Sequence, residues 1–221
     1  MVGAKSLLAG VVLALAFAAA AAADDPTVRI TRADQLKAEA ALLKLKDFGV
    51  GWTGGKRTPS KLTAPKCPGF DPKESDLTVT GHAEARFTYA RGSVVFDQDN
   101  QVLESERAVR TDFARVIQPK LKDCLAYELK QSGKGQIISV VVRELSFPRL
   151  GTETAAYRGT MVLRAGGGRK VTFVSDFIFI GQGRYEYSLN VVAPAVLGGE
   201  LASFEQSIAQ KLIRKAGANV A

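Results

Sequence analysis

Histidine is almost missing from this chain: His82 is the only one among 221 residues, and only two cysteines accompany it. A Cys/His zinc site needs more ligands than these three side chains provide. No nucleophile elbow, H-E-x-x-H or S-x-x-K occurs, so the common hydrolase signatures are absent. Beyond residue 23 no second long apolar run follows, and the mature chain is expected not to insert stably in a membrane. No cysteine stands near the end of the first apolar run either, which excludes a lipoprotein anchor there.

Residues 1–23 carry a single charge at Lys5, an apolar stretch from Leu7 to Phe17 and an alanine run that stops before Asp24 and Asp25. That is the order of a secretory signal, with the cut favoured between Ala23 and Asp24. An uncleaved leader retained as an anchor is the alternative. Residues 24–221 then form one domain of ordinary globular composition, 46% hydrophobic and 24% charged.

Thirty Lys and Arg against 22 Asp and Glu give a net charge of +8, which loses one unit with the leader. A basic exterior favours anionic surfaces such as acidic wall polymers and lipid headgroups. Nucleic acid is not expected, because the cations are spread along the chain and not gathered on one helix.

In an oxidising compartment an even pair of cysteines reads as a disulfide, so Cys67 and Cys124 are expected to staple the domain. Thr31 caps a first helix expected to run to about Lys46. Residues 49–74, rich in glycine and proline, read as a long irregular connection tethered by Cys67. Two strands follow, residues 83–89 with Ala85, Phe87 and Tyr89 on one side, and 93–103, although Asp97 to Asn100 would equally suit a turn. Ser105 caps a helix over residues 105–130, kinked at Pro119, whose stripe of Val109, Phe113, Ile117, Leu121, Cys124 and Leu125 is apolar. Cys124 on that stripe would pin the Cys67 loop to the helix's buried side.

The period then becomes strand-like over residues 137–145, 154–164, 171–180 and 184–192, with turns at FPRLG, AGGGRK and GQG. In the third run Val171, Phe173, Phe177 and Phe179 are read as a core face, and in the fourth Tyr185, Tyr187, Leu189 and Val191. A last helix over residues 199–215 carries Leu201, Phe204, Ile208 and Leu212 at helical spacing. Helix, two strands, helix, four strands, helix implies an α+β fold, a single antiparallel sheet flanked by helices.

Gly49, Gly51 and Gly54 satisfy G-x-G-x-x-G, but they follow a helix where a dinucleotide site needs a strand. Gly49 is read as a helix C-cap, with Trp52 packing back on that helix. Asp97, Asp99 and Glu104 suggest calcium, yet Val102 and Ala108 stand where an EF-hand needs glycine and glutamate. His82 reads as a lone surface histidine. Asp176 alternates with Val174 and Ile178 in an apolar strand, so its carboxylate must be paired or exposed, and Arg158 on the neighbouring strand is the expected partner. Arg164, Arg169 and Lys170 surround three glycines as a solvated hairpin tip.

The strings LLKLKDFGVGWTGG, KCPGF with SDLTVTG, FARVIQPKLKDCL and ELSFPRLGTETAAYR resemble actinobacterial exported sensor-like domains, related to PsbP-like lipoproteins and kinase-associated extracellular sensor domains. The resemblance covers about Ala40 to Lys215. It implies an antiparallel sheet flanked by helices, a structural disulfide and no enzyme activity, with tethering that the absent lipobox cysteine does not support.

The resulting expectation is an exported, extracytoplasmic, non-enzymatic domain. It would engage a ligand, an envelope component or a protein, anionic in character, with no cofactor and no metal. Trp52, Arg158 and Asp176 are the candidate residues of a ligand groove beside the sheet. A secreted hydrolase with an unrecognised site is the alternative.

Overall fold

In the computed structural model residues 24–132 and 136–218 are described, and the expected leader, residues 1–23, lies outside them. The strands β1 (Thr27–Val28), β2 (Trp52–Arg57), β3 (Thr78–Tyr89), β4 (Val94–Leu103), β5 (Ile137–Glu144), β6 (Glu153–Arg164), β7 (Lys170–Gln182) and β8 (Tyr185–Pro194) form one sheet. Their order is β1-β3-β4-β8-β7-β6-β5, and β2 pairs with β3 beyond the end of β1. The fold is α+β as expected, but the sheet is mixed and not purely antiparallel. Thr27 and Val28 run parallel to Thr78 and Val79, a contact too short to leave a periodic signal.

Helix α1 (Arg32–Ala40) begins where the Thr31 hydroxyl accepts from the Asp34 amide at 3.1 Å. It ends six residues before the expected Lys46. Asn100 donates to the Ala38 carbonyl and Gln98 to the Ala41 carbonyl, while the Leu43 amide donates back to Gln98. These two buried amides on β4 take over helix-end groups that would otherwise lack partners, and the chain peels away. Only a 3-10 turn, Leu45–Asp47, follows.

The connection after it is shorter than the sequence suggests, because β2 pairs antiparallel with β3 from Trp52↔Tyr89 to Arg57↔Glu84. Glycines hid this strand. Gly54 adopts φ 123° with its α-carbon so close to β3 that an added Cβ would lie 2.2 Å from the Arg86 carbonyl oxygen. The irregular part, residues 58–77, forms a strap. Cys67 and Phe70 exchange two 2.9 Å backbone hydrogen bonds around Pro68 and Gly69, the latter at φ +75°. That is the proline-glycine order a type II turn requires.

Pro119 does more than kink the expected long helix. The residue before a proline is pushed out of the helical region, and α2 (Glu106–Val116) stops at Ile117 while α3 restarts at Leu121–Ser132. β4 runs unbroken through Asp97 to Asn100, settling the choice between strand and turn there. β5 to β8 are successive antiparallel neighbours.

Side chains alternate between the two faces. The main core holds Phe87, Phe96, Ile178, Ile180, Tyr187 and Leu189 against Ala38 of α1 and Leu201, Ile208 and Leu212 of α4 (Gly198–Ala218). On β7 the fully buried row is thus Val174, Asp176, Ile178 and Ile180, and not the expected phenylalanine row, whose members are half-buried on the opposite face. There Phe179 joins Tyr157, Leu121 and the Cys67–Cys124 disulfide in a second cluster under α2 and α3. The disulfide forms as expected, with its α-carbons 5.3 Å apart.

Candidate functional site

The three residues expected to share a groove do not come together. Trp52 stacks on Phe204 of α4 at 5.3 Å and 9°, and also meets Phe48 and Tyr89. The helix it packs on is α4, and Gly49 caps none, because α1 ended nine residues earlier. Arg158 and Asp176 do pair across β6 and β7 as expected, through Nε–Oδ1 at 2.7 Å and Nη2–Oδ2 at 2.5 Å. Asp176 is wholly buried, so this fork supplies the charge that burial demands. Glu205 of α4 lies beside it, and burial first, then the Asp176 hydrogen bond, pushes its carboxyl up to about 9. Glu205 thus bears on Asp176, while among the described residues its two buried oxygens have no other hydrogen-bond partner. Arg158 also borders a shallow hollow with Arg143 and Val141 on the β5 edge.

A different set of carboxyls converges on the opposite face. Alternation along β4 and β8 puts Gln101, Glu186 and Ser188 there, and Gln101 is paired directly with Glu186. Asp112 reaches down from α2, and Glu74 reaches across from the strap. Together they line a cavity of ≈ 190 Å³, whose remaining wall is apolar: Phe113, Val116, Ile117 and Phe179. Thr63 and Pro65 of the strap complete it. The strap is anchored at one side by Ser60, whose amide donates to Glu84 at 2.9 Å, and at the other by the disulfide.

The carboxyls of this pocket have no cationic side chain among its lining residues. Glu74 is 8% exposed, and among the described residues none donates a hydrogen bond to its carboxyl or forms an ion pair with it. Burial, then the charges of Asp112 and Asp25, push it up to about 8 against the opposing pull of Arg115. That guanidinium is engaged elsewhere, on Asp76 at 2.5 and 2.8 Å and on the Lys73 carbonyl at 2.8 Å. Glu186 is raised well above the ordinary range, by burial first and then by Asp112, Glu74 and Asp99. Burial raises Asp112 as well, although a proton donated from Glu186 works the other way. Both carboxyls are thus shifted toward the neutral form, and among the described residues Asp112 Oδ1 and Glu186 Oε1 are buried with no partner. Strongly perturbed carboxyls inside a cavity are a mark of functional sites.

Next to this pocket, His82, Glu84 and Asp99 form the trio among the described residues whose ligand atoms lie within 4.8 Å of one another. His82 is buried, and not the surface residue expected, with Nε2 3.2 Å from Asp99 and 3.5 Å from Glu84. The trio is poorly suited to a metal, because Arg57 is already ion-paired with Glu84 and Ser60 donates to it. Of the three carboxylates weighed against calcium in the sequence, Asp97 is clamped by Arg86 at 2.6 and 2.9 Å.

None of the pocket carboxyls was singled out by the sequence reading, although two had a signal. Asp112 follows Val109 by three residues, on the flank of the apolar stripe. Glu186 sits between Tyr185 and Tyr187 in a strand-like run, on the face opposite the two tyrosines. Glu74 lies in an aperiodic strap and has none. Neither any protein-family model nor any curated protein matches the chain.

Proposed function

We propose that this chain is an exported, non-enzymatic binding domain, whose ligand enters the pocket between α2, the strap and strands β4 and β8. The observation that carries this reading is Glu74: a residue nine-tenths buried, its carboxyl without a partner among the described residues, in a cavity that also holds Asp112 and Glu186. A protein that kept such groups only for stability would do better with apolar replacements. The disulfide supports an extracytoplasmic location, since thiols stay reduced in the cytosol. Kinship with PsbP-like and kinase-associated sensor domains is part of the proposal, and what supports it is an α+β sheet flanked by helices with one disulfide. The basic exterior, including the exposed Arg164, Arg169 and Lys170 at the β6–β7 turn, would hold the domain near anionic envelope polymers.

Native mass spectrometry of the disulfide-intact protein recovered from its own host tests this reading. A small-molecule adduct is expected, and Ser188→Trp, which fills the cavity, should remove it. The same ligand-free mass for both proteins would overturn the reading. One feature favours the hydrolase alternative: two interacting carboxyls can activate water, as in aspartic-type sites. In that case the incubated ligand would return as hydrolysis products, and Asp112→Asn would stop their formation while the adduct persisted.

A further inference from the structure

We infer that the pocket takes a small organic cation, a protonated amine carried on a short apolar body. The inference rests on the pocket being the ligand site and adds the chemistry of the ligand.

Three acidic side chains and two neutral hydrogen-bonding ones, Gln101 and Ser188, line the cavity together with the apolar Phe113, Val116, Ile117 and Phe179. A lining of both kinds suits a molecule that carries a charged group on a hydrocarbon body. An anion fits less well, because the lining holds no cationic side chain to receive it. Asp25 and Asp99 bear on the same groups with the same sign, and Arg115 is turned away to Asp76.

A bare metal ion fits less well than an amine. Divalent calcium draws oxygens to about 2.3–2.6 Å, and the oxygens of Glu74, Asp112 and Glu186 do not gather within 4.8 Å of one another, as the His82 ring nitrogen and the Glu84 and Asp99 oxygens do. An ammonium offers three donors, each reaching about 2.7–3.2 Å, so it bridges more widely spaced acceptors. It also leaves the apolar wall useful, since its alkyl or aromatic body covers the phenylalanines that a hydrated ion would leave wet. The volume of ≈ 190 Å³ limits that body to a few carbons.

Amide chemical-shift mapping of the full disulfide-intact domain, titrated separately with n-butylamine hydrochloride, n-butanol, calcium chloride and manganese chloride, tests the inference. Butylammonium should shift the amides of Glu74, Gln101, Asp112 and Glu186, and should bind at least about tenfold more tightly than butanol, the value of one charge-assisted contact. Glu74→Gln should weaken butylammonium by about the same factor and leave butanol unchanged. Glu74→Asp, which keeps the charge, should recover part of the loss and guards against a folding defect. Equal binding of butanol and butylammonium at these amides would overturn the amine while leaving the pocket as a binding site. Tighter binding of calcium or manganese would overturn it in favour of a metal. No shift with any of the four would overturn both the inference and the pocket reading.

Discussion

Glu205 shows how burial sets the charge state of a single side chain. It is 1% exposed on α4 and stands beside Asp176, which already has its cation in Arg158. With its folded value raised to about 9 from the model-peptide 4.5, the group favours the folded state fully only below the lower value. That contribution is lost as pH rises toward the higher one, because the unfolded chain ionises and the folded one cannot. Glu205→Gln removes this dependence. Relative to the parent it should gain roughly 2–3 kcal/mol between pH 5 and pH 7, at about 1.4 kcal/mol per unit. Urea unfolding at the two pH values checks this, and parallel behaviour of the two proteins would contradict it. The pairing of Asp176 with Arg158 could be read from alternation and cross-strand geometry. Glu205 could have been, since it lies four residues after Leu201 on the buried side of the last helix.

At the scale of elements, the strap is the part that the disulfide makes possible. Residues 58–77 form no regular ladder of their own beyond the single Cys67–Phe70 bridge, and they are fixed by tethers: Ser60 on Glu84, Lys61 and the Ala64 amide on Asp25, Cys67 on Cys124 and Asp76 on Arg115. The bridge closes a loop of 57 residues. Cys67→Ser with Cys124→Ser should therefore cost about 4 kcal/mol in guanidinium unfolding by loop-closure entropy. Hydrogen exchange should show the loss first at the strap amides of Cys67 and Phe70, with α4 little changed. Uniform loss of protection, or none, would contradict the role given to the strap. Caps and stripes made α2, α3 and α4 legible in sequence. Two things were not: the extent of α1, set by Gln98 and Asn100 from a distant strand, and β2, whose glycines serve close backbone approach and erase the usual alternation.

For the whole molecule, the sheet has two different faces. One is sealed by α1 and α4 around an aromatic and aliphatic core. The other carries Glu84, Asp97, Asp99, Gln101, Glu186 and Ser188 on neighbouring strands, covered only in part by α2, α3 and the strap. The α+β class and the antiparallel β5–β8 run followed from periodicity and short turns. The acidic pocket did not, because it assembles residues 74, 112 and 186 from three unrelated segments, and only the fold brings them together. A chain with net charge +8 thus gathers three carboxyls in one pocket whose lining holds no cation. None of the described helices is long and apolar enough to cross a membrane. The most direct measurement of this central claim is the carboxyl carbon shift of Glu74 in the ligand-free, disulfide-intact protein, followed by NMR as pH is raised. A midpoint near the value of about 8 is predicted for an uncompensated buried group, and a midpoint near the ordinary 4.5 would contradict it.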